Sequence, residues 1–168
     1  MTTLDPPIAA RSIGDVTPGS LVQVGTARGF CARHPATDTR SVVIYYPDRN
    51  GFRYNLAQAP VLDFGLGWVI VPDLESLDES VLPSEGSTEL FLLGDSPKII
   101  FAMASGAEGP HQLDLKTGAI EPVRRQGAVH AFRKWTVGIK TTDGDFVPLL
   151  DVGPRYRDDD SSTEPHEV

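Results

Sequence analysis

Cys31-Ala-Arg-His34 places a thiol and an imidazole three residues apart, the two groups that a cysteine nucleophile and its base require. On a strand, residues three apart point to opposite faces, so this pair diverges and Cys31 is expected as a small buried hydrophobe. The histidines His34, His111, His130 and His166 show no ligand spacing, and with Cys31 the sole cysteine no second thiolate completes a zinc set. Asp78-Glu79, Asp143-Gly-Asp145 and Asp158-Asp-Asp160 offer oxygen ligands. A calcium loop, however, needs alternating donors around a fixed turn with a closing carboxylate, and Asp143-Gly-Asp145 fits a hairpin tip better. Lys116-Thr-Gly118 matches one β-lactamase element without the Ser-x-x-Lys that must accompany it. Gly25-Thr-Ala-Arg-Gly29 lacks the Gly-Lys-Ser/Thr ending of a phosphate loop. No catalytic residue, metal or cofactor is therefore expected. An enzyme would have to assemble its site from scattered residues such as Asp114, His130 and Arg133.

Charge carries more information. The net charge is −8, and it is unevenly distributed. Between residues 54 and 97 there is no Lys or Arg, while Asp63, Asp73, Glu75, Asp78, Glu79, Glu85, Glu89 and Asp95 all fall there. The segments 20–53 and 98–140 are net positive, and the chain from 141 onward is again acidic. A negative chain repels phosphate backbones, so nucleic acid is not an expected partner, whereas an acidic face attracts a basic protein. The expected partner-binding residues are Asp63, Asp73, Glu75, Asp78, Glu79, Glu85 and Glu89. Arg124, Arg125, Arg133 and Lys134 form either a basic patch or the internal counterpart of the acidic segment. Tyr45, Tyr46, Phe52, Tyr54 and Trp68, with Arg49 and Arg53, are of the types that stack on bases or sugars, but aromatics on strands more often fill cores.

These residues must be positioned by strands. Gly and Pro together make up 30 of 168 residues (16 and 14), which disfavours long helices and marks many turns. Strand patterns occur at Leu21–Val24, Gly29–Arg33, Ser41–Tyr46, Phe52–Leu56, Gly67–Val71, Glu89–Leu93, Lys98–Ala104, His111–Leu115, Ala119–Arg124, Val129–Phe132, Trp135–Lys140 and Asp145–Leu150. Turn chemistry at Asn50-Gly51, Asp114–Gly118 and Thr141–Asp145 predicts hairpins. Asp73–Leu82 has the spacing of one short helix, with Asp73 as its cap and Pro83 as its stop. Val42–Tyr46, Trp68–Val71 and Ile99–Ala104 are apolar on both faces, so the sheet is expected to be covered on both sides. The fold class is thus mostly β, an antiparallel sandwich or partly closed barrel with one short helix. An extended arm (1–19), one β-rich domain (20–153) and an acidic disordered tail (154–168) complete the organisation. Met1–Ser20 lacks the basic start and apolar run of an export signal. No apolar stretch is long enough to span a membrane, and a lone cysteine suits a reducing compartment, so a cytoplasmic location is expected.

Leu90-Phe-Leu-Leu-Gly94, then Ile99-Ile-Phe-Ala102, a glycine-bearing loop and Leu113-Asp-Leu-Lys-Thr-Gly-Ala-Ile-Glu-Pro-Val123 form a recognisable rhythm. Over residues 89–123 it resembles the central hairpin of the SMI1/KNR4 (SUKH) superfamily, which includes many bacterial toxin-immunity proteins. That family's leading helix with its Leu-Pro and Gly-rich turn has no counterpart here, nor has its closing helix, and no functional residue is transferred. The resemblance implies a non-enzymatic protein that binds and blocks a partner. Residues and resemblance together favour an acidic protein-binding module, an inhibitor or immunity protein that masks a basic surface. The alternatives are a structural subunit of a phage or secretion-type assembly and an enzyme with an unrecognised site. Because Arg155–Val168 offers almost no apolar surface to bury, deleting it should leave the melting temperature nearly unchanged in a thermal unfolding scan.

Overall fold

A computed structural model of the chain describes residues 8–49, 51–57, 60–78, 90–93, 96–103, 110–123 and 130–153. The strands are short, as the spacing of turn residues requires. They are β1 (Ala9–Arg11), β2 (Leu21–Val24), β3 (Ala27–Arg33), β4 (Arg40–Tyr46), β5 (Gly51–Asn55), β6 (Val61–Asp63), β7 (Trp68–Pro72) and β8 (Leu77–Asp78). β9 (Leu90–Leu93), β10 (Ser96–Ala102), β11 (Pro110–Asp114), β12 (Ile120–Pro122), β13 (His130–Phe132), β14 (Trp135–Lys140) and β15 (Phe146–Val152) follow. The larger sheet runs β1-β6-β2-β3-β4-β5-β10-β9-β13-β8, with β11 also paired to β10 and β12 beyond it. Its path does not close into a barrel. A second sheet, β15-β14-β7, packs across it through a shared core. Among the described residues the named strands pair antiparallel except β5 with β10, and an isolated parallel bridge joins Arg33 to Ala119.

The two-sided apolar strands have their physical explanation in two cores. Alternate residues of β2, β3 and β4 (Leu21, Phe30, Val43, Tyr45) face the smaller sheet and meet Trp135, Val137, Ile139 and Leu150. The intervening residues (Val22, Cys31, Val42, Ile44) face the other way, onto Val16, Val61 and Ile13. The cover on that side comes from the arm. From residue 8 onward the arm pairs with the sheet at β1 and then makes a 3-10 turn at Ile13–Asp15 that leads into Val16. On β10, Ile99 and Phe101 join the main core while Ile100 packs with Ala131 and Val123. β7 differs: Trp68 and Ile70 pack inward, but Val71 is exposed on the outer side.

The two sheets are joined by directional contacts. Phe52 stacks on Trp135 with centroids 5.8 Å apart at 16°, and Phe30 meets Trp68 edge-on at 5.5 Å. Trp68 Nε1–H donates to the Gly19 carbonyl (2.8 Å), the Gly153 amide donates to the Tyr45 hydroxyl (3.3 Å), and the Arg28 guanidinium donates to the Leu149 carbonyl.

The short helix expected over Asp73–Leu82 requires correction as far as it is described. Leu74–Ser76 is a single 3-10 turn, and Leu77–Asp78 is already strand, paired with Phe132 and Ala131; residues 79–82 lie outside the described set. Asp73 does cap the turn, its Oδ1 accepting the Glu75 amide at 3.0 Å. Backbone pairing to β13 replaces the helix because the leucine stripe has no core to face: Leu74 and Leu77 are exposed. Among the described residues, no helix is long and apolar enough to cross a membrane. The tail 154–168 and the turn residue Asn50 also lie outside the described residues.

Both later hairpin tips form where the turn chemistry puts them. The β14–β15 turn closes with Thr141 N–H on Asp145 O (2.8 Å) and has Gly144 at φ +87°. The β11–β12 turn has Gly118 at φ +69°, and that turn is pressed against the Pro18-Gly19 turn so tightly that a Cβ on Gly118 would collide with backbone there. A Cβ at Gly144 would meet nothing. Gly144→Ala should therefore cost about 1 kcal/mol from left-handed backbone alone. Gly118→Ala should cost roughly 2–4 kcal/mol, since overpacking adds to the same backbone term. Urea unfolding of the two variants side by side checks the difference.

Candidate functional site

Where β7 leaves the smaller sheet at Pro72, the chain is pinned to the loop before β14. The Asp73 amide donates to the Lys134 carbonyl (2.9 Å), the Arg133 amide donates to the Ser76 carbonyl (3.2 Å), and the Lys134 amide donates to the Ser76 hydroxyl (3.0 Å). This hydrogen-bonded corner exposes several apolar side chains. Val71 is 48%, Leu74 74% and Leu77 38% exposed, and Asp73 and Glu75 stand exposed among them. Apolar side chains exposed close together on one turn make this corner a candidate contact surface.

The expected acidic set is only partly brought together. Asp73 and Glu75 share the corner, and Asp78 follows on β8 beside β13. Asp63 sits on β6, near the opposite end of the strand path. Its carboxylate is committed to structure: it pairs with Arg11 at 3.2 Å and accepts the Gly65 amide at 2.8 Å. Glu79, Glu85 and Glu89 lie outside the described residues. The basic pair Arg133-Lys134 is backbone-bonded to the acidic corner itself, so the two charge blocks of the sequence are neighbours in space.

Beside the corner lies an apolar cavity of about 280 Å³, walled by Trp68, Ile70 and Pro72 of β7 and by Leu90, Pro97 and Phe132 of the larger sheet. Sequence reasoning did not find it. Its walls come from separate segments, and only the packing of β7 across β9, β10 and β13 brings them face to face.

The residues proposed as a dispersed catalytic set behave differently. Asp114 is buried, with Oδ2 on Lys98 Nζ (2.8 Å) and on the Ser96 hydroxyl (2.6 Å), while Oδ1 accepts the Lys116 and Thr117 amides (2.9 and 3.0 Å). Lys98 Nζ also reaches Glu121 at 3.3 Å, and Gln112 Nε2 donates to the same Glu121 oxygen at 2.9 Å. Burial by itself would raise the Asp114 pKa, but the hydrogen bonds from Lys98, Ser96 and Thr117 and the ammonium charge outweigh it and hold the carboxyl at about 2. Glu121 is likewise lowered, by the Gln112 hydrogen bond and, against some burial, by Lys98. The cluster satisfies a buried ammonium and fixes the β11–β12 turn. His130 is exposed on β13.

Cys31 is buried with Sγ facing the Val16 carbonyl at 3.8 Å, and burial pushes its thiol up to about 11. His34 lies past the end of β3, its Nδ1 accepting the Ala36 amide at 3.3 Å, so thiol and imidazole serve separate roles. Tyr45 and Phe52 are core, and Tyr54 stacks on Phe101 at 6.4 Å. Among the described residues, no group of three His, Cys, Asp or Glu is placed to hold a metal ion.

The Asp114 carboxylate makes stability depend on pH with a defined sign. Its folded pKa is about 2, against an ordinary value of 3.8. The stabilisation, on the order of 2 kcal/mol, is thus complete above pH 4–5 and lost as pH falls toward 2. Asp114→Asn should lower stability at pH 7 by about 3 kcal/mol, because Lys98 keeps its charge and loses its nearest counter-ion. It should also flatten the acid limb of stability against pH in urea titrations.

No family model, curated protein or solved structure matches the chain.

Proposed function

We propose that this protein is a non-enzymatic, acidic protein-binding module that masks a basic surface on its partner, in the manner of an inhibitor or immunity protein. The observation that carries the reading is the hydrogen-bonded corner after β7, where Val71, Leu74 and Leu77 stand exposed beside Asp73 and Glu75. Apolar groups supply contact energy at an interface, and the exposed Asp73 and Glu75 carboxylates attract a complementary, basic partner beside the neighbouring Arg133-Lys134 pair. Asp78, Glu79, Glu85 and Glu89 continue the acidic run along the chain and extend the same charge; Asp63, held by Arg11, does not belong to this surface. The resemblance of residues 89–123 to the SUKH superfamily favours the same reading, and their described parts, β9 to β12, pair as antiparallel neighbours. The engaged state of Asp114 and the buried state of Cys31 count against the dispersed-enzyme alternative.

Recovering the partner from the native host by crosslinking and then measuring association by surface plasmon resonance tests this reading. Glu75→Lys should slow association several-fold at low salt, with the difference shrinking as the Debye length falls toward about 8 Å at physiological ionic strength. Leu74→Ser should instead hasten dissociation about tenfold, with the fold unchanged, because Leu74 is exposed. Association rates that ignore both the reversal and the salt would show that the acidic corner serves only solubility.

A further inference from the structure

The cavity beside the corner has a chemistry that limits what can enter it. Its walls among the described residues are Trp68, Ile70, Pro72, Leu90, Pro97 and Phe132. Neither proline has an N–H, and the indole N–H of Trp68 is already donated to the Gly19 carbonyl at 2.8 Å. A polar or charged group entering this space would lose its water and receive no hydrogen bond from these side chains. An enclosed apolar cavity of about 150 Å³ takes up a hydrocarbon ring. The volume, about 280 Å³, falls just below the range of sites that hold drug-sized ligands and cofactors. That is room for a single large side chain. Pro72 forms one wall, and the exposed Asp73 follows it directly in the chain, with the exposed Glu75 two residues further on.

We infer that the cavity is the anchor site of the partner-binding surface and takes one aromatic or large aliphatic side chain from a partner segment whose flanking residues are basic. Interfaces concentrate their energy in such anchors, seated in desolvated pockets and ringed by groups that exclude water. The basic flanks rest on the acidic-surface reading above; the preference for an apolar side chain rests on the cavity walls alone.

The test uses the full chain, isotope-labelled, and three capped tripeptide amides as probes: Lys-Phe-Lys, Lys-Gly-Lys and Glu-Phe-Glu. Lys-Phe-Lys should shift the Trp68 indole N–H and the Ile70 and Leu90 methyl resonances saturably, and bind about tenfold or more tighter than Lys-Gly-Lys. At low salt it should also bind more tightly than Glu-Phe-Glu, with the gap closing at high salt. Ile70→Trp, which fills the cavity, should abolish the response to Lys-Phe-Lys while the far-UV circular dichroism spectrum is retained. If that variant does not fold, nuclear Overhauser contacts between the probe's phenyl ring and the Ile70 and Leu90 methyls of the unsubstituted protein give the same decision. Equal binding of Lys-Phe-Lys and Lys-Gly-Lys, or shifts confined to other residues, would overturn the cavity inference. Equal low-salt binding of Lys-Phe-Lys and Glu-Phe-Glu at the cavity would uphold the anchor and overturn the acidic-surface reading.

Discussion

Strands β2, β3 and β4 must bury both of their faces, and the rest of the architecture answers that requirement. A strand whose residues alternate between two apolar sets cannot lie on a sheet that is wet on one side. Phe30, Val43 and Tyr45 on one face and Cys31, Val42 and Ile44 on the other are all buried. Each such side chain contributes roughly 1.5–3 kcal/mol when fully removed from water. The β7-β14-β15 sheet meets the first demand, fixed in orientation by the Trp135–Phe52 stack and the Trp68 bond to Gly19. The segment before β2 meets the second: β1 adds to the sheet next to β6, and Ile13 and Val16 close over Cys31 and Val42.

That arrangement explains why exposed leucines gather at the corner after β7. The strand is committed to the smaller sheet along β14, with Trp68 and Ile70 held inward. At Pro72 the chain must pass from the smaller sheet to the larger one, where Leu77–Asp78 joins β13. A crossing between layers has no core beneath it, so Leu74 is left in solvent. The cavity lies next to this crossing, between β7 and strands β9, β10 and β13. Exposed leucines, acidic groups and apolar cavity therefore lie close together in the chain and the fold.

β10 shows how the two faces of one strand divide labour. Pro97 forms part of the cavity wall, while Ser96 and Lys98 enter the ion cluster with Asp114. A buried ammonium is costly unless every partner is in place. Here Asp114 and Glu121 arrive from two further strands in fixed register, Lys98 opposite Asp114 and Gln112 opposite Glu121. The cluster thereby ties β10, whose Pro97 lines the cavity, to β11 and β12. Asp114 also orders its own turn, which brings Gly118 against the Pro18-Gly19 turn and couples this end of the sheet to β2 and β3.

The sequence alone determined whatever depends on neighbours along the chain. Strand positions, the hairpin tips at Gly118 and Gly144, the cap at Asp73 and the inward turn of Cys31 follow from periodicity and turn chemistry, both local properties. The demand for cover on both faces was legible in Val42–Tyr46, although the identity of the cover was not. Tertiary structure decided everything that depends on register between distant strands. It set Asp63 against Arg11, Lys98 against Asp114, and Leu77–Asp78 against β13 where the residue spacing is helical. It also opened the cavity between Ile70 and Leu90. A pattern of period two or three and a half states which face a residue occupies; it carries no record of which strand, packed across the core, will stand opposite it.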